Sequence, residues 1–136
     1  MSASGAYMPP TLIYPLKKKQ KEFELELPSG GWAEVHSTGR MTAESFLIWF
    51  RKFVEFSKAT KYFPVLLILD DHSTHTKNLE VIDYATESGV SLLCLPPICS
   101  YTLQPLDVSF MKLLSLHYSD ELRKWLRGNP EKVVIL

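Results

Sequence analysis

The sequence lacks the features that tie a protein to a membrane, to disulfide chemistry or to strong electrostatic binding. It holds two cysteines in 136 residues, too few for a disulfide framework. Its apolar runs are all shorter than the ~18 residues that span a bilayer, and the N-terminus has no basic segment followed by an apolar one. Basic and acidic side chains number 15 each, so the strong basic excess of a free-standing DNA-binding module is absent. These absences favour a soluble intracellular protein.

The composition is that of one globular domain with an uneven distribution of charge. Hydrophobic residues make up 46% and aromatic residues 12% of the chain, enough for a core. Residues 1–64 carry nine basic and six acidic side chains, whereas residues 65–136 carry six basic and nine acidic ones. The acidic half contains the candidate site.

The stretch VLLILDDHSTHT, residues 65–76, joins a continuous apolar run to two acids and two histidines. Such a run predicts a strand that is buried on both faces of a parallel sheet. Ligands in these sheets bind beyond the carboxyl ends of the strands, which is where Asp70 and Asp71 stand. Alternatively, one of the two acids only caps a turn, and this stretch alone leaves both interpretations open.

A helix and a second buried strand follow. The sequence KNLEVIDYATESG predicts a helix capped by Asn78 and terminated by Gly89, with Leu79, Ile82 and Ala85 facing inward. The next run, VSLLCL, predicts the second strand. A strand, a helix and a strand within about thirty residues form a βαβ unit, whose strands are parallel.

The first half of the chain predicts one clear helix and several short β segments. Residues 2–14 read as two β segments separated by Pro9 and Pro10, in a hairpin or at a sheet edge. An alternating apolar stretch of Phe23, Leu25 and Leu27 ends at a glycine turn. The sequence TAESFLIWFRKFVEF predicts a helix that begins at Thr42 and packs an aromatic stripe into the core, formed by Phe46, Trp49, Phe50 and Phe53.

Asp107 is predicted in the first turn of a long C-terminal helix. Pro105 suits the first position of that helix because its missing N–H would have no partner there. An apolar side is outlined further along by Phe110, Leu113, Leu114, His117, Leu122 and Trp125. A carboxylate in the first turn complements the helix dipole, so a purely structural role for Asp107 is as natural as a chemical one.

Asp70 and Asp107 together indicate a function that neither acid indicates alone. Asp70 ends one strand, and Asp107 begins a helix reached by the loop after the neighbouring parallel strand, so both can open on one edge of the sheet. Converging carboxylates repel each other unless a cation lies between them. Mg²⁺ prefers oxygen ligands and keeps waters for reaction, so Asp70 and Asp107 are candidate metal ligands of a phosphoryl-transfer site.

Zinc is the competing interpretation of the same region. His72 and His75 with Cys94 and Cys99 make two imidazoles and two thiols, a set that zinc accepts in a tetrahedron. Cys94, however, lies within an apolar run, where a packed thiol is the more natural role.

The motifs together resemble a known family. They are an apolar strand ending in LD, the following HSTH, the LLCLPP strand and loop, and LQPLD at the start of a helix. With the upstream MPPTLIYP and GRMTAESFLIWF, they resemble the DDE superfamily endonuclease domain of pogo-type transposases, the group that includes jerky- and tigger-like proteins. The resemblance is best over residues 2–127 and treats residues 1–136 as part of one catalytic domain.

The resemblance implies an α/β fold of the ribonuclease H type, a mixed sheet flanked by helices. In this family three acids hold two Mg²⁺ or Mn²⁺ ions that cut and join DNA strands, so the implied partner is DNA, the implied location is the nucleus, and no membrane is involved. Asp70 corresponds to the second acid and Asp107 to the third, and their separation, 107 − 70 = 37 positions, fits the family. Asp71 stands where the family usually has a small residue. His72 and His75 match family positions that suit loop shaping or phosphate contact.

One departure concerns the first acid, which the family carries on the first strand of the sheet. No aspartate precedes Asp70, and the early glutamates lie in segments that match other parts of the domain. The sequence therefore predicts a fold that lacks the first strand, a fragment with an incomplete triad, and strongly reduced cleavage. It ends on EKVVIL, an apolar run that looks cut short. The alternative function is a non-catalytic DNA- or protein-interaction module descended from the same fold, and the oligomeric state is left open.

Overall fold

The computed structural model describes residues 1–19, 21–25, 27–70, 72, 77–96 and 103–132. Its contacts divide the chain into two compact units, Met1–Cys94 and Leu95–Leu136. The first unit is mixed α/β, and its elements are β1 (Thr11–Tyr14), β2 (Trp32–Val35), α1 (Ala43–Ser57), β3 (Val65–Leu69), α2 (Leu79–Ser88) and β4 (Val90–Cys94). The second unit contains a π-helical turn, Leu106–Phe110, and α3 (Met111–Gly128).

The first small sheet pairs β1 with β2 in parallel, with Thr11 opposite Trp32 and Tyr14 opposite Val35. The predicted strand within residues 2–8 is wrong, because Gly5 donates its N–H to the carbonyl of Ser2 over 3.1 Å and closes a turn there. Of the two predicted placements, the hairpin is wrong, since β1 takes a parallel partner from further along the chain. The sheet edge is confirmed, since β1 is one of two strands in its described sheet.

The alternating stretch after β1 begins with a short 3₁₀ helix, Lys21–Glu24. Phe23 stacks on Tyr14 at a centroid distance of 4.3 Å, which folds the segment back onto the end of β1. Lys19 and Glu24 form an ion pair of 2.6 Å on its exposed side. The next apolar residue of the alternating stretch, Leu25, is 69% exposed.

Helix α1 begins as predicted at Thr42. The Thr42 hydroxyl accepts the N–H of Ser45 over 3.1 Å, and the Ser45 hydroxyl accepts the N–H of Thr42 over 2.8 Å. This reciprocal capping box satisfies two N–H groups that the helix cannot pair internally. The predicted aromatic stripe is confirmed at Phe46 and Phe50, which are buried.

The second sheet confirms the βαβ unit. Strands β3 and β4 pair in parallel, from Val65 opposite Val90 to Leu69 opposite Cys94. The inner side chains of β3, those of Val65, Leu67 and Leu69, pack against the core. Leu66 and Ile68 of β3 are 59% and 43% exposed, and Leu93 of β4 is 46% exposed, so the predictions that β3 is buried on both faces and that β4 is a buried strand are wrong. The reason is that the helices of the first unit cover one face of β3, and no described element of that unit covers the other.

Helix α2 is bounded as predicted but rotated. Asn78 caps its start, and Gly89 ends it with a φ of 76°. Ala85 is buried as predicted, whereas Leu79 is 73% and Ile82 39% exposed, and Val81 is fully buried instead. The core that results joins α1, α2 and β4, and it consists of Phe46, Phe50, Ala59, Val81, Ala85 and Val90.

In the second unit, Asp107 lies in the first turn of the helical segment, as predicted. Pro105 precedes that turn with helical angles, φ −57° and ψ −33°. No residue of α3 is buried, so its predicted apolar side is open: Leu113 is 56%, Leu114 48% and Trp125 44% exposed. Among the described residues, no helix has both the length and the apolar character that a membrane crossing requires.

Candidate functional site

Asp70 stands directly at the carboxyl end of β3 and is half-buried. The residue before it, Leu69, lies opposite Cys94, the last residue of β4. Because the strands are parallel, the segments that follow β3 and β4 both leave the sheet at this edge. Asp70 therefore occupies the edge at which ligands bind in parallel α/β sheets.

The segment after Asp70 is fixed at its far end by Asn78. The Asn78 Oδ1 accepts the N–H of Val81 over 3.4 Å, and its Nδ2 donates to the carbonyl oxygen of Ala43 over 2.9 Å. The cap was predicted, but the bond to Ala43 was not, since the two residues are 35 positions apart. The segment between Asp70 and α2 thus starts from a strand of the core and ends on an anchored helix.

The two histidines and the second acid of this segment are only partly described. His72 is exposed. Asp71 and His75 lie outside the described residues, as does Cys99. Cys94 is exposed at the end of β4, so the prediction of a packed thiol is wrong, because Cys94 is the last residue of its strand. The zinc interpretation stays a hypothesis.

Asp107 is held by the geometry of a helix start. Its N–H donates to the carbonyl of Gln104 over 3.1 Å, and Ser109 Oγ donates to the carbonyl of Pro105 over 2.7 Å. The Asp107 side chain is half-buried. Its position in the first turn places it near the positive end of the helix dipole.

The two acids lie in different units, Asp70 in the first and Asp107 in the second. Their convergence stays a prediction. Each offers carboxylate oxygens, the ligands that Mg²⁺ and Mn²⁺ prefer. In the described part of the chain, no three or more His, Cys, Asp or Glu side chains are grouped so that they could hold a metal. The chemistry of the two acids fits a divalent ion, as part of a ligand set.

Comparison with known proteins gives one family and one relative. The family model described as DDE superfamily endonuclease matches residues 1–133. The MFS-type transporter clz9 of Cochliobolus lunatus is 30% identical over 102 residues, which are 74% of this chain and 11% of that protein. The chain thus spans about a tenth of the length of this curated relative. No solved structure matches.

Proposed function

Because the chain belongs to the DDE superfamily endonuclease family, we propose that Asp70 and Asp107 hold Mg²⁺ or Mn²⁺ for the cleavage and transfer of DNA strands. The observation that carries this proposal is the place of Asp70, at the carboxyl edge of two parallel strands. The chain leaves β4 at that edge and continues into the segment that bears Asp107. The family implies a fold of the ribonuclease H type and derivation from a transposase, and DNA in the nucleus would be the substrate.

In this proposal the two aspartates supply negative charge to a metal ion, and the elements that carry them fix their positions. Asp70 projects from the end of a strand whose inner side chains belong to the core, so its backbone has little freedom to move. Asp107 is fixed by the first helical turn. Where two such carboxylates meet, they would repel each other unless a cation separated them. A divalent ion held there would neutralise charge on the scissile phosphate and activate water or a 3′-hydroxyl.

In this proposal the 136 residues contain two of the three acids that the family uses. Loss of one carboxylate leaves an ion with fewer protein ligands and a less defined geometry. We therefore expect this polypeptide to bind Mn²⁺ but to cleave DNA only in company with a third carboxylate. An in-frame strand ending in aspartate upstream of Met1 in the genomic sequence would supply it, and a stop codon or unrelated sequence there would remove this source.

The test is Mn²⁺ binding, followed by the electron paramagnetic resonance signal of the free ion. We expect Asp70→Asn and Asp107→Asn each to weaken binding more than about tenfold, a loss typical of a disturbed ligand shell. Asp83→Asn is the matched control, since Asp83 is an exposed acid on α2. Equal affinity in all four proteins would contradict the proposed site. Plasmid nicking by the 136-residue chain well above background would contradict the need for a third acid.

A non-catalytic nucleic-acid module is the second candidate, and the charge of the first half supports it. Residues 1–64 carry a net charge of 9 − 6 = +3, and Lys17, Lys18 and Lys19 are exposed. This candidate predicts a salt-sensitive mobility shift of DNA that Asp70→Asn leaves unchanged, with no nicking even when a third acid is present.

A further inference from the structure

Two aromatic side chains project from the turn between α1 and β3. Tyr62 is 92% and Phe63 78% exposed. Burial of such rings is strongly favourable, and exposed Tyr and Phe side chains that adjoin each other are characteristic of binding surfaces. Lys61 precedes the pair and Lys58 lies at the end of α1, both exposed. We call Lys58, Lys61, Tyr62 and Phe63 the aromatic turn.

The aromatic turn is rigid. Thr60 and Phe63 exchange backbone hydrogen bonds of 3.2 and 3.1 Å, and the Thr60 hydroxyl accepts the Phe63 N–H as well, over 3.1 Å. Ala59 beneath it belongs to the buried core. Gly89 lies so close that a Cβ atom there would stand 2.3 Å from the Thr60 carbonyl. The two rings are therefore displayed on a fixed support, and binding through them costs little ordering of the backbone.

A groove of about 830 Å³ adjoins the aromatic turn. Lys61 and Pro64, on either side of the two aromatics in sequence, both line it, and its far wall comes from α2 and β4 through Ile82, Thr86, Ser91 and Leu92. Of the described residues that line this groove, only Lys61 is charged. The acids of α2, Asp83 and Glu87, stand one position along the helix from Ile82 and Thr86, which turns each by about 100°. Among its described lining residues the groove therefore offers one cationic group, Lys61, and no acid to oppose an anionic ligand.

We propose that the aromatic turn and its groove bind single-stranded nucleic acid. Unstacked bases would lie on the rings of Tyr62 and Phe63, while Lys61 contacts the phosphate backbone. Proteins that hold single strands combine such aromatic stacking with a basic track. In a duplex the faces of the bases are already stacked on one another, so the two rings would have no face to meet. An exposed aromatic pair with lysines beside it therefore favours the single strand over the duplex.

The aromatic turn lies away from the acidic edge, whereas its groove extends along β4 to Cys94, which pairs with Leu69. The aromatic turn precedes β3 and Asp70 follows it, so the two are separated by the five residues of that strand, about 17 Å. The assignment to nucleic acid rests on the proposed function, which makes DNA the substrate class. The inference adds a site that holds a single strand at the opposite end of β3 from Asp70.

The test compares binding of a fluorescein-labelled oligothymidylate of about 16 nucleotides, the upper end of known site sizes, with binding of a duplex of equal length. The full 136-residue chain is used. Tyr62→Ala with Phe63→Ala should weaken single-strand binding about a hundredfold, or about tenfold per stacked base. Lys61→Gln should lower the slope of log K against log salt by about 0.7, the share of one phosphate on a single strand. Matched controls are Tyr118→Ala, 57% exposed on α3, and Lys112→Gln.

Three outcomes overturn the inference. They are unchanged oligothymidylate binding in the double aromatic variant, preference of the wild type for the duplex, and a dimer in sedimentation that the double variant loses while strand binding persists. The last would assign the surface to a second copy of the chain. Far-ultraviolet circular dichroism verifies that the variants fold. Asp70→Asn separates the two proposals, because it should lose Mn²⁺ affinity and keep oligothymidylate binding, whereas the aromatic variant should do the reverse.

Discussion

At the scale of single residues, Asn78 joins two roles that are usually separate. One side-chain oxygen caps α2, and the amide nitrogen reaches the first turn of α1 at Ala43. The two helices that cover β3 and β4 are thereby linked at their N-terminal ends. The same link fixes the end of the segment that starts at Asp70.

Replacement of Asn78 separates these two contributions. Asn78→Ala should cost about 2 kcal/mol of unfolding free energy, about 1 for the lost cap and about 1 for the lost hydrogen bond. Asn78→Asp keeps a good cap but has no donor for Ala43, so about 1 kcal/mol should be lost. Urea denaturation measures both, with Thr86→Ala on the exposed side of α2 as the control, expected within about 0.5 kcal/mol of wild type. Equal losses in the Ala and Asp variants would deny the cap a role.

Residue roles that depend on local geometry were predictable from the sequence. Thr42, Asn78 and Gly89 act within a few positions of themselves, and all three predictions are confirmed. Roles that depend on distant neighbours were not. The bond from Asn78 to Ala43 crosses 35 positions, and the exposure of Cys94 depends on what lies beside the end of β4.

At the scale of elements, α1 supplies the two aromatic side chains of the six-residue core of the first unit, Phe46 and Phe50. Phe50 is fully buried. Its ring lies 6.3 Å from that of Phe46 and 6.1 Å from that of Phe53, and it meets Tyr84 of α2 edge-on at 6.0 Å. One side chain thus connects two turns of α1 to the neighbouring helix.

Truncation of Phe50 should therefore cost far more than truncation of another aromatic on the same helix. Phe50→Ala should lower the free energy of unfolding by about 3–5 kcal/mol, a large share of the 5–15 kcal/mol of an ordinary domain. Phe56→Ala, at a position 42% exposed, should cost less than about 1 kcal/mol. Thermal and urea denaturation compare the two. Similar losses would mean that the packing of α1 differs from that described.

Element types followed from the sequence where the signal was distinctive. Helices α1 and α2 match their predictions because periodicity and caps agree over ten or more residues. Strands β3 and β4 were predicted from continuous apolar runs, and both are strands of five residues, although each has an exposed face. Strand β2 was not predicted, since its four residues, WAEV, hold no decisive pattern. The inward side of α2 was misassigned at Leu79 and Ile82, because a helical face is chosen by the elements that cover it. Strand β3 reads as doubly buried in sequence, yet one of its faces is open.

At the scale of the whole molecule, the candidate site depends on two acids that belong to different units. The sequence predicts that Asp70 and Asp107 meet, since the segments that carry them leave adjacent parallel strands at the same edge. The strand pairing that this argument needs is confirmed. Whether the two carboxylates meet cannot be predicted from sequence periodicity, because it depends on the path of the chain after β4.

A double-mutant cycle tests whether one ion binds both acids. At ten times its dissociation constant, Mn²⁺ should stabilise the wild type by roughly 1.4 kcal/mol, a rise in Tm of about 5 °C. If the acids share the ion, Asp70→Asn and Asp107→Asn should each reduce the stabilisation to less than about 0.4 kcal/mol, and the double variant should behave like either single one. Differential scanning fluorimetry reads the shift. Partial losses that add up in the double variant would indicate two independent sites.

The exposed face of β3 and β4 affects how the molecule associates with other polypeptide chains. Leu66, Ile68 and Leu93 are 59%, 43% and 46% exposed, and within the described residues β3 has a single neighbouring strand. A strand edge without a partner strand, beside exposed apolar side chains, is a template for other extended chains. The behaviour of this protein therefore depends on concentration. In dilute solution the exposed face and free edge of β3 contact water, and in concentrated solution they contact other polypeptide chains.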